Sequence, residues 1–348
     1  MSHLVMRLKK SPDMAELILF MLNRREAVES SQIEGTSTTF DGLLLHENTT
    51  DVEADTNPDA AETLAYVVAL QEALQKVRQP RFKGFSHQLI AHIHQRLMQQ
   101  YPDRLPGKYK NSVNYIGGFH METARFIPAP PQCVKPLMDD LLTLMNYEQD
   151  SPLATPLLMR AAIVHAQFES IHPFLDGNGR TGRMLIPLML EAEGYPGIHL
   201  ATFLKLRKQD YYDALLQVQM KLNWSPWLTL FYECVVASCR HTIALIDKLE
   251  ALQAQWSIQL DQAGVRSDAS ARKIAALLLG RPILTVKQAS ALCDVTFAAA
   301  NNGLEKLHAL GIVSQRGQAT RKRVFQANAV LSALYDGVNS MMDSAASR

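Results

Sequence analysis

The sequence predicts a mainly α-helical protein that closes with a small basic C-terminal module. Three observations carry that prediction. Apolar residues recur at helical spacing through most of the chain, period-two alternation is nearly absent before residue 300, and the charge balance changes sign near residue 270. The 348 residues are 47% hydrophobic and 20% charged, which excludes a disordered chain and leaves length for two domains at roughly 150 residues each. Lys plus Arg (35) against Asp plus Glu (34) leave a net charge of +1, so any attraction to nucleic acid or acidic lipid has to be local. Cys133, Cys234, Cys239 and Cys293 form no CxxC pair and are too sparse for a disulfide framework, which favours a reducing compartment. No apolar run approaches the ~18 residues of a membrane span, and MSHLVMRLKKSPDM lacks a signal peptide's apolar core, so the expected location is cytoplasmic, with no membrane partner.

The elements follow in chain order. Residues 13–34 read as an amphipathic helix, with Leu17, Leu19, Phe20, Leu22, Val28 and Ile33 at helical spacing and Gly35 as its stop. Residues 46–60, HENTTDVEADTNPDA, are polar, acidic and interrupted by proline, as a loop between two helices would be. His87, His92 and His94 have no second cluster of ligand-type residues beside them and read as solvated helix positions. Residues 113–127 are the one alternating stretch before residue 300. There Gly117-Gly118 would turn a hairpin between 113–116 and 124–127, ended by Pro128, Pro130 and Pro131. A helix from Leu157 to about Ser170 precedes a glycine-rich loop, and a second helix resumes near Arg180.

A long helix from Trp227 to about Gln259 leads into a linker, DQAGVRSDAS, and a boundary near residue 265. The expected division is an N-terminal helical region over 1–100, a core over 101–260 and a small domain over 266–335. Residues 271–325 hold nine Lys or Arg against Asp294 and Glu305, a balance of +7, whereas residues 1–270 hold 25 basic and 30 acidic side chains, a balance of −5. ARKIAALLLG, TVKQASALCDV and TFAAANNGLEKLHALGIV read as three helices, and SQRGQATRKRVFQ as a short hairpin. That order resembles a winged helix, with Asp294-Val295 as its tight turn. Lys287, Arg316, Arg321, Lys322 and Arg323 would supply a basic face for DNA backbone contact; the alternative is a protein–protein or dimer module.

The stretch from His172 to Arg183, HPFLDGNGRTGR, combines a proline stop, three glycines, a carboxylate and two arginines. Pro173 biases His172 out of the α conformation, which ends the preceding helix and presents the imidazole at its C-terminus. Gly177, Gly179 and Gly182 let the backbone approach a ligand, and the free N–H groups and dipole of the next helix favour an anion. This pattern is a phosphate site. Arg180 and Arg183, three apart, share one side of the helix and suit phosphate oxygens. Asp176 is sufficient as the one protein carboxylate of a Mg²⁺ shared with phosphates, and neutral His172 is suited to accept a hydroxyl proton. A nucleotide P-loop is excluded, because Arg183 and Met184 stand where Lys and Ser/Thr are required and a helix, not a strand, comes before.

These residues resemble the signature of Fic (filamentation induced by cAMP) proteins, and the resemblance extends over roughly residues 5–250. It implies a helical bundle that moves AMP from ATP onto Tyr, Ser or Thr hydroxyls of a protein target or of the chain itself. By that resemblance His172 is the base and Asp176 holds Mg²⁺. Gly177, Asn178 and Gly179 would form the anion hole, Arg180 and Arg183 would meet the outer phosphates, and Thr181 and Gly182 belong to the same ATP-binding turn. The hairpin, through Tyr115, Ile116, Gly117 and Gly118, resembles the flap that aligns a target by strand addition. Tyr211, in the pair Tyr211-Tyr212, stands at the place of the aromatics near adenine. Where relatives have Asn-Arg four residues earlier this chain has Arg207-Lys208, so Arg207 is the remaining candidate there and no residue is carried over for the Asn role.

Ser30, Glu34 and Gly35 in ESSQIEGTS match the family's inhibitory pattern, Ser/Thr-x-x-x-Glu-Gly/Asn, placed ahead of the core. Glu34 paired with Arg183 would withhold that arginine from the γ-phosphate. The resemblance therefore implies an ATP- and Mg²⁺-dependent protein adenylyltransferase restrained by its own helix, with a homodimer as an associated expectation. Two other readings stand beside it: a DNA-binding regulator with a nucleotide-sensing core, and an enzyme that removes AMP.

Overall fold

The computed structural model describes every residue except 49–56, 80–81, 119, 148–154, 318–322 and 347–348. In chain order the helices are α1 (Ser2–Lys10), α2 (Pro12–Ile33), α3 (Phe40–Asn48), α4 (Pro58–Val77), α5 (His87–Leu97), α6 (Pro131–Met145), α7 (Leu157–Ile171), α8 (Asn178–Ala192), α9 (Ala201–Leu206), α10 (Lys208–Lys221), α11 (Ser225–Gln262), α12 (Ser270–Leu278), α13 (Val286–Cys293), α14 (Phe297–Ala309), α15 (Asn328–Tyr335) and α16 (Val338–Ala346). The strands are β1 (Ile283–Thr285), β2 (Ser314–Arg316) and β3 (Val324–Gln326). The mainly α expectation holds.

Two compact units form, and they are not the three successive blocks expected. One comprises residues 25–38, 57–238 and 345–348; the other comprises 1–24, 39–56 and 239–344. α2 and α11 each contribute to both, because a helix can continue through a change of packing partners that no composition shift announces.

In the first unit α7 and α8 form the central pair, with α6 and α10 on α7 and α4 and α5 on α8. Both central helices are buried nearly all round, as a core helix is. Their close approach needs Gly182: a Cβ there would lie 2.8 Å from Glu169 Oε1 and 3.1 Å from Phe168 Cδ1. The hairpin expected at 113–127 is reduced to a single antiparallel bridge, Ile116 with Phe126. Gly117 takes φ +72°, but Gly118 packs on the backbone of Thr123, and 121–123 form a 3₁₀ turn. Among the described residues Gly117 and Gly118 therefore do not form a two-residue turn between paired strands.

In the second unit α12, α13 and α14 pack together beside an antiparallel sheet of order β1-β3-β2. β1 was not anticipated, since three residues running straight into a helix N-cap leave no alternation to read. Thr285 and Gln288 form that cap reciprocally. Asp294, at φ +51°, ends α13, and Thr296 caps α14 through the Ala299 N–H at 3.2 Å. The expected basic face is partly spent inside the unit, because Arg323 pairs with Glu305 and Arg316 with Asp41. Arg321 and Lys322 lie outside the described residues. α11 meets the length and composition of a membrane span over one 18-residue stretch, contrary to the sequence expectation, and 61% of that stretch is buried, as in a core helix.

Candidate active site

The site grows from the junction of α7 and α8. α7 ends where Pro173 disfavours the α conformation at the residue before it, and His172 takes the left-handed one, φ +49° and ψ +61°, with its N–H still bonded to Phe168 O at 2.8 Å. A left-handed non-glycine residue is strained and persists only where its surroundings hold it. Four side chains do so, three of them buried. Asn178, 2% exposed, accepts the Phe174 N–H on Oδ1 and donates from Nδ2 to Phe174 O, both at 2.9 Å. Asn114 donates to the same carbonyl at 2.9 Å. Lys110 donates from Nζ to Asn114 Oδ1 at 2.7 Å and to Ile171 O at 3.2 Å, while its own N–H bonds Pro173 O at 2.8 Å.

His94 is the fourth. Its ring stacks on Phe174 at 3.7 Å and 4° between planes. Nε2–H donates to Asp176 O and Nδ1 accepts from the Gly107 N–H, both at 2.9 Å. A carbonyl only accepts and an amide only donates, so the partners specify the tautomer. Burial pulls the pKa of His94 down to about 4, which keeps the ring neutral.

Gly177, at φ +72°, turns the chain into α8, whose first N–H groups belong to Asn178, Gly179 and Arg180 and have no acceptor within the helix. Asp176 stands at the mouth of that turn, its Oδ1 accepting the Gly177 N–H at 2.6 Å and its side chain about half exposed. Further along α8, Arg183 is 1% exposed and donates to Ser30 Oγ at 2.7 Å, Ser30 O at 3.0 Å and Glu34 Oε1 at 2.5 Å. Burial opposes a guanidinium charge, but Glu34 and its neighbours more than reverse this and hold the pKa of Arg183 above its ordinary value. The Glu34 carboxylate occupies the space that a side chain at Gly179 would need.

A cavity of about 440 Å³ opens over this junction. Glu34, Glu169, His172, Gly179 and Arg183 line it on one side, Tyr211, Tyr212, Leu215 and Leu216 form an apolar wall, and Tyr115, Ile116, Gly117 and Phe126 form an edge. It thus joins a base, a helix N-terminus, an arginine, a flat apolar wall and an exposed stretch of backbone, the parts needed to hold a nucleotide beside an incoming chain.

Comparison with known proteins gives the same reading of the loop. Residues 84–190 match the Fic/DOC family model, and residues 1–75 match the model of the Fic/DOC family N-terminal region. Together they span more than half of the chain. The chain belongs to the Fic/DOC family. It is 31% identical over 126 residues to protein adenylyltransferase fic-1 of Caenorhabditis briggsae, covering 36% of this chain and 22% of that protein. It is 31% identical over 145 residues to protein adenylyltransferase Fic of Aedes aegypti, covering 42% and 26%. The match thus spans about a quarter of those relatives. Among solved structures, a Fic domain containing signaling protein from Bacteroides thetaiotaomicron aligns with TM-score 0.59 at 23% identity, over 71% of this chain and 96% of that one. A Fic family protein from Desulfovibrio desulfuricans aligns with TM-score 0.52 at 17% identity, over 92% and 95%. These last two show the fold.

Of the residues singled out in the sequence, His172, Gly179, Arg183, Tyr211, Glu34, Tyr115, Ile116 and Gly117 share the Fic cavity. Ser30 reaches it through Arg183, and Asp176, Gly177 and Asn178 lie on the adjoining loop. The rest are placed differently. Arg180 is buried against Glu62, Thr181 donates its hydroxyl to Gly177 O at 2.8 Å, and Gly182 faces α7. Gly118 packs on Thr123, outside the cavity lining. Arg207 is held by Asp210 and Glu233 in a separate depression. The Tyr211 hydroxyl bonds His165 Nε2 at 2.8 Å, so this tyrosine offers its ring and not its hydroxyl. His94 is no solvated position: it is fully buried under the loop. Lys110, Asn114 and Glu169 escaped the sequence reading. The one available signal was for Glu169, three residues before His172 on the same helix.

Proposed function

We propose that this Fic/DOC chain transfers AMP from ATP to a Tyr, Ser or Thr hydroxyl of a protein target, and that Glu34 restrains the reaction. The observation that carries this reading is the contact of Glu34 with Arg183 beside His172 in one cavity. His172 takes the proton as the target oxygen forms its bond to the α-phosphorus, and the α–β bridging bond breaks to release pyrophosphate. The first turn of α8 receives phosphate oxygens on its N–H groups, and the wall at Tyr211 and Leu215 takes the adenine ring. Asp176 fits Mg²⁺: it presents a half-exposed carboxylate, and one protein ligand suffices when phosphates and water complete the shell. Among the described residues no cluster of three ligand-type side chains would hold a metal without phosphate. Bound Mg²⁺ would neutralise phosphate charge. With Glu34 on Arg183, the guanidinium is unavailable to the outer phosphates, and ATP sits out of line for attack. The naming of the relatives as protein adenylyltransferases supports the same reaction.

Label from α-phosphate-labelled ATP should pass to protein faintly with the parent chain, strongly with Glu34→Gly, and not at all with Glu34→Gly/His172→Ala. Absence of label in all three, with ATP still bound, would overturn the transferase reading; removal of AMP from a modified protein would be assayed next. For residues 270–326, the order α12-β1-α13-α14-β2-β3 with sheet order β1-β3-β2 supports a winged helix. The pairing of Arg316 and Arg323 within the unit favours a role in protein contact over DNA contact, and a salt-independent failure to bind duplex DNA would agree. The location we assign is the cytoplasm, on the free thiols expected of all four cysteines.

A further inference from the structure

Beside His172 stands a buried carboxylate that the reaction above does not use. Glu169, on the last turn of α7, is 6% exposed, and its Oε1 has no hydrogen bond. Burial raises its pKa, but His172, His165 and Arg183 outweigh burial and leave it below the ordinary glutamate value, so the group is ionised. An ionised carboxylate this far buried is costly unless a donor or cation turns toward it.

Two ring nitrogens near Glu169 have no hydrogen bond, His165 Nδ1 and His172 Nδ1. His165, on the same helix, has its Nε2 committed to the Tyr211 hydroxyl at 2.8 Å, and burial holds its pKa down. Arg183, from α8, directs its hydrogen bonds to Ser30 and Glu34. Of the two rings, His172 is the one that lines the cavity together with Glu169. Its Nδ1 lies 3.7 Å from Glu169 Oε2 and has no hydrogen bond of its own. A rotation of the ring closes that gap. Gly182 is the second sign of a built arrangement, because any side chain there would strike Glu169 Oε1. This glycine, expected at phosphate, makes room for the carboxylate.

We propose that Glu169 is a positioning residue for His172, accepting its Nδ1–H so that Nε2 is the atom that takes the proton from the target hydroxyl. The same carboxylate balances the imidazolium formed when that proton arrives, while the hydroxyl oxygen bonds to the α-phosphorus and pyrophosphate leaves. The inference rests on the adenylyl-transfer reading for its catalytic consequence, but the His172 tautomer stands apart from activity. A carboxylate that orients a catalytic histidine in this way is worth up to about 10⁴-fold in kcat.

The test uses the full chain with Glu34→Gly, alone and combined with Glu169→Gln or Glu169→Asp. Initial rates give kcat and KM for ATP, and ¹⁵N-histidine NMR gives the tautomer and titration midpoint of His172. With Glu169 present, neutral His172 should carry its proton on Nδ1. Glu169→Gln should lower kcat by about 10²-fold or more with KM for ATP nearly unchanged, and should change the His172 tautomer and its titration midpoint. Glu169→Asp should recover part of both. A kcat within about threefold of the Glu34→Gly chain together with an unmoved midpoint would overturn the proposal. If Glu169→Gln does not fold, an Nε2–H tautomer in the Glu34→Gly chain itself overturns it. If no variant transfers AMP but the tautomer and midpoint respond to Glu169→Gln, the transferase reading fails and the positioning role stands.

Discussion

Residues 171–178 and residues 113–127 border the same cavity and are built in opposite ways. The first segment has its carbonyls at 171, 173, 174 and 176 bound by Lys110, Asn114, Asn178 and His94, with Lys110, His94 and Asn178 all buried. The second has one backbone bridge, at Ile116 and Phe126, and exposes Val113, Tyr115 and Met121. Catalytic atoms need a fixed position, because misplacement by about 1 Å costs about 10²-fold in rate. An edge that receives an unfolded or looped partner needs the reverse, unpaired N–H and C=O groups that the partner completes. Asn114 links the two: it lies near the start of the open segment, and its side chain holds Phe174 O.

The largest expected effect lies on the fixed side. His172→Ala in the Glu34→Gly chain should reduce AMP transfer by about 10²–10⁴-fold with ATP affinity retained, measured by labelled transfer and by isothermal titration. Retention of most of the activity would mean that the held loop serves some purpose other than proton transfer. Next in size, Glu34→Gly should raise transfer by about 10²-fold, the order expected when a misplaced phosphate is restored to line. Arg183→Ala should fail to show that gain, because the arginine itself is then missing.

The second half of α2 tests whether the segment that carries Glu34 belongs with the fixed side. Glu26 accepts the Ala201 N–H at 2.9 Å, and Lys205 bonds Glu29 Oε2 at 2.8 Å as well as Gln32. Burial pushes the pKa of Glu26 up to about 7, although the Ala201 N–H and Arg183 pull it back toward normal. A raised acid binds more protons folded than unfolded, so its contribution to stability is fully present below about pH 4.5 and is lost as pH rises through 7. The unfolding free energy of the parent chain, from urea titrations, should therefore fall relative to Glu26→Gln between pH 5 and 8, by up to about 3 kcal/mol. Parallel values across that range would place Glu26 in contact with water and α2 among the loosely held parts.

What could be read in the sequence follows from the same contrast. Pro173, Gly177 and Gly179 were legible because backbone geometry dictates those residue types directly, and Glu34 was legible through its place in the family's inhibitory pattern. The bracing residues were not, since Lys110, Asn114 and His94 act on carbonyls some sixty to eighty positions away, and nothing local distinguishes such a side chain from a solvated one. Arg207 misled for the complementary reason. Its neighbour Asp210 was visible, but Glu233, which holds it away from the cavity lining, is 26 residues on in another helix. The expected hairpin failed on chain length, because paired glycines promise a tight turn only when the residues after them continue the alternation, and here they enter a 3₁₀ turn.

The smallest effects are the sharpest test of the contrast, because they pit one residue from each segment against the other. Asn178→Ala removes both bonds to Phe174 and leaves a buried N–H unsatisfied, which should cost about 1–3 kcal/mol of stability and lower the melting temperature. Tyr115→Ala removes a side chain that is 42% exposed and should change stability by no more than about 0.5 kcal/mol. In activity the two should separate along different axes. In the Glu34→Gly chain, Asn178→Ala should lower kcat for any target, including free ATP turnover, because the loop carrying His172 and Asp176 is loosened. Tyr115→Ala should leave ATP turnover alone and raise KM for the protein target, since only the open edge has changed. An equal loss of stability in both variants would mean that residues 113–127 are as firmly held as the loop, and the strand-addition role of that edge would fall with the contrast.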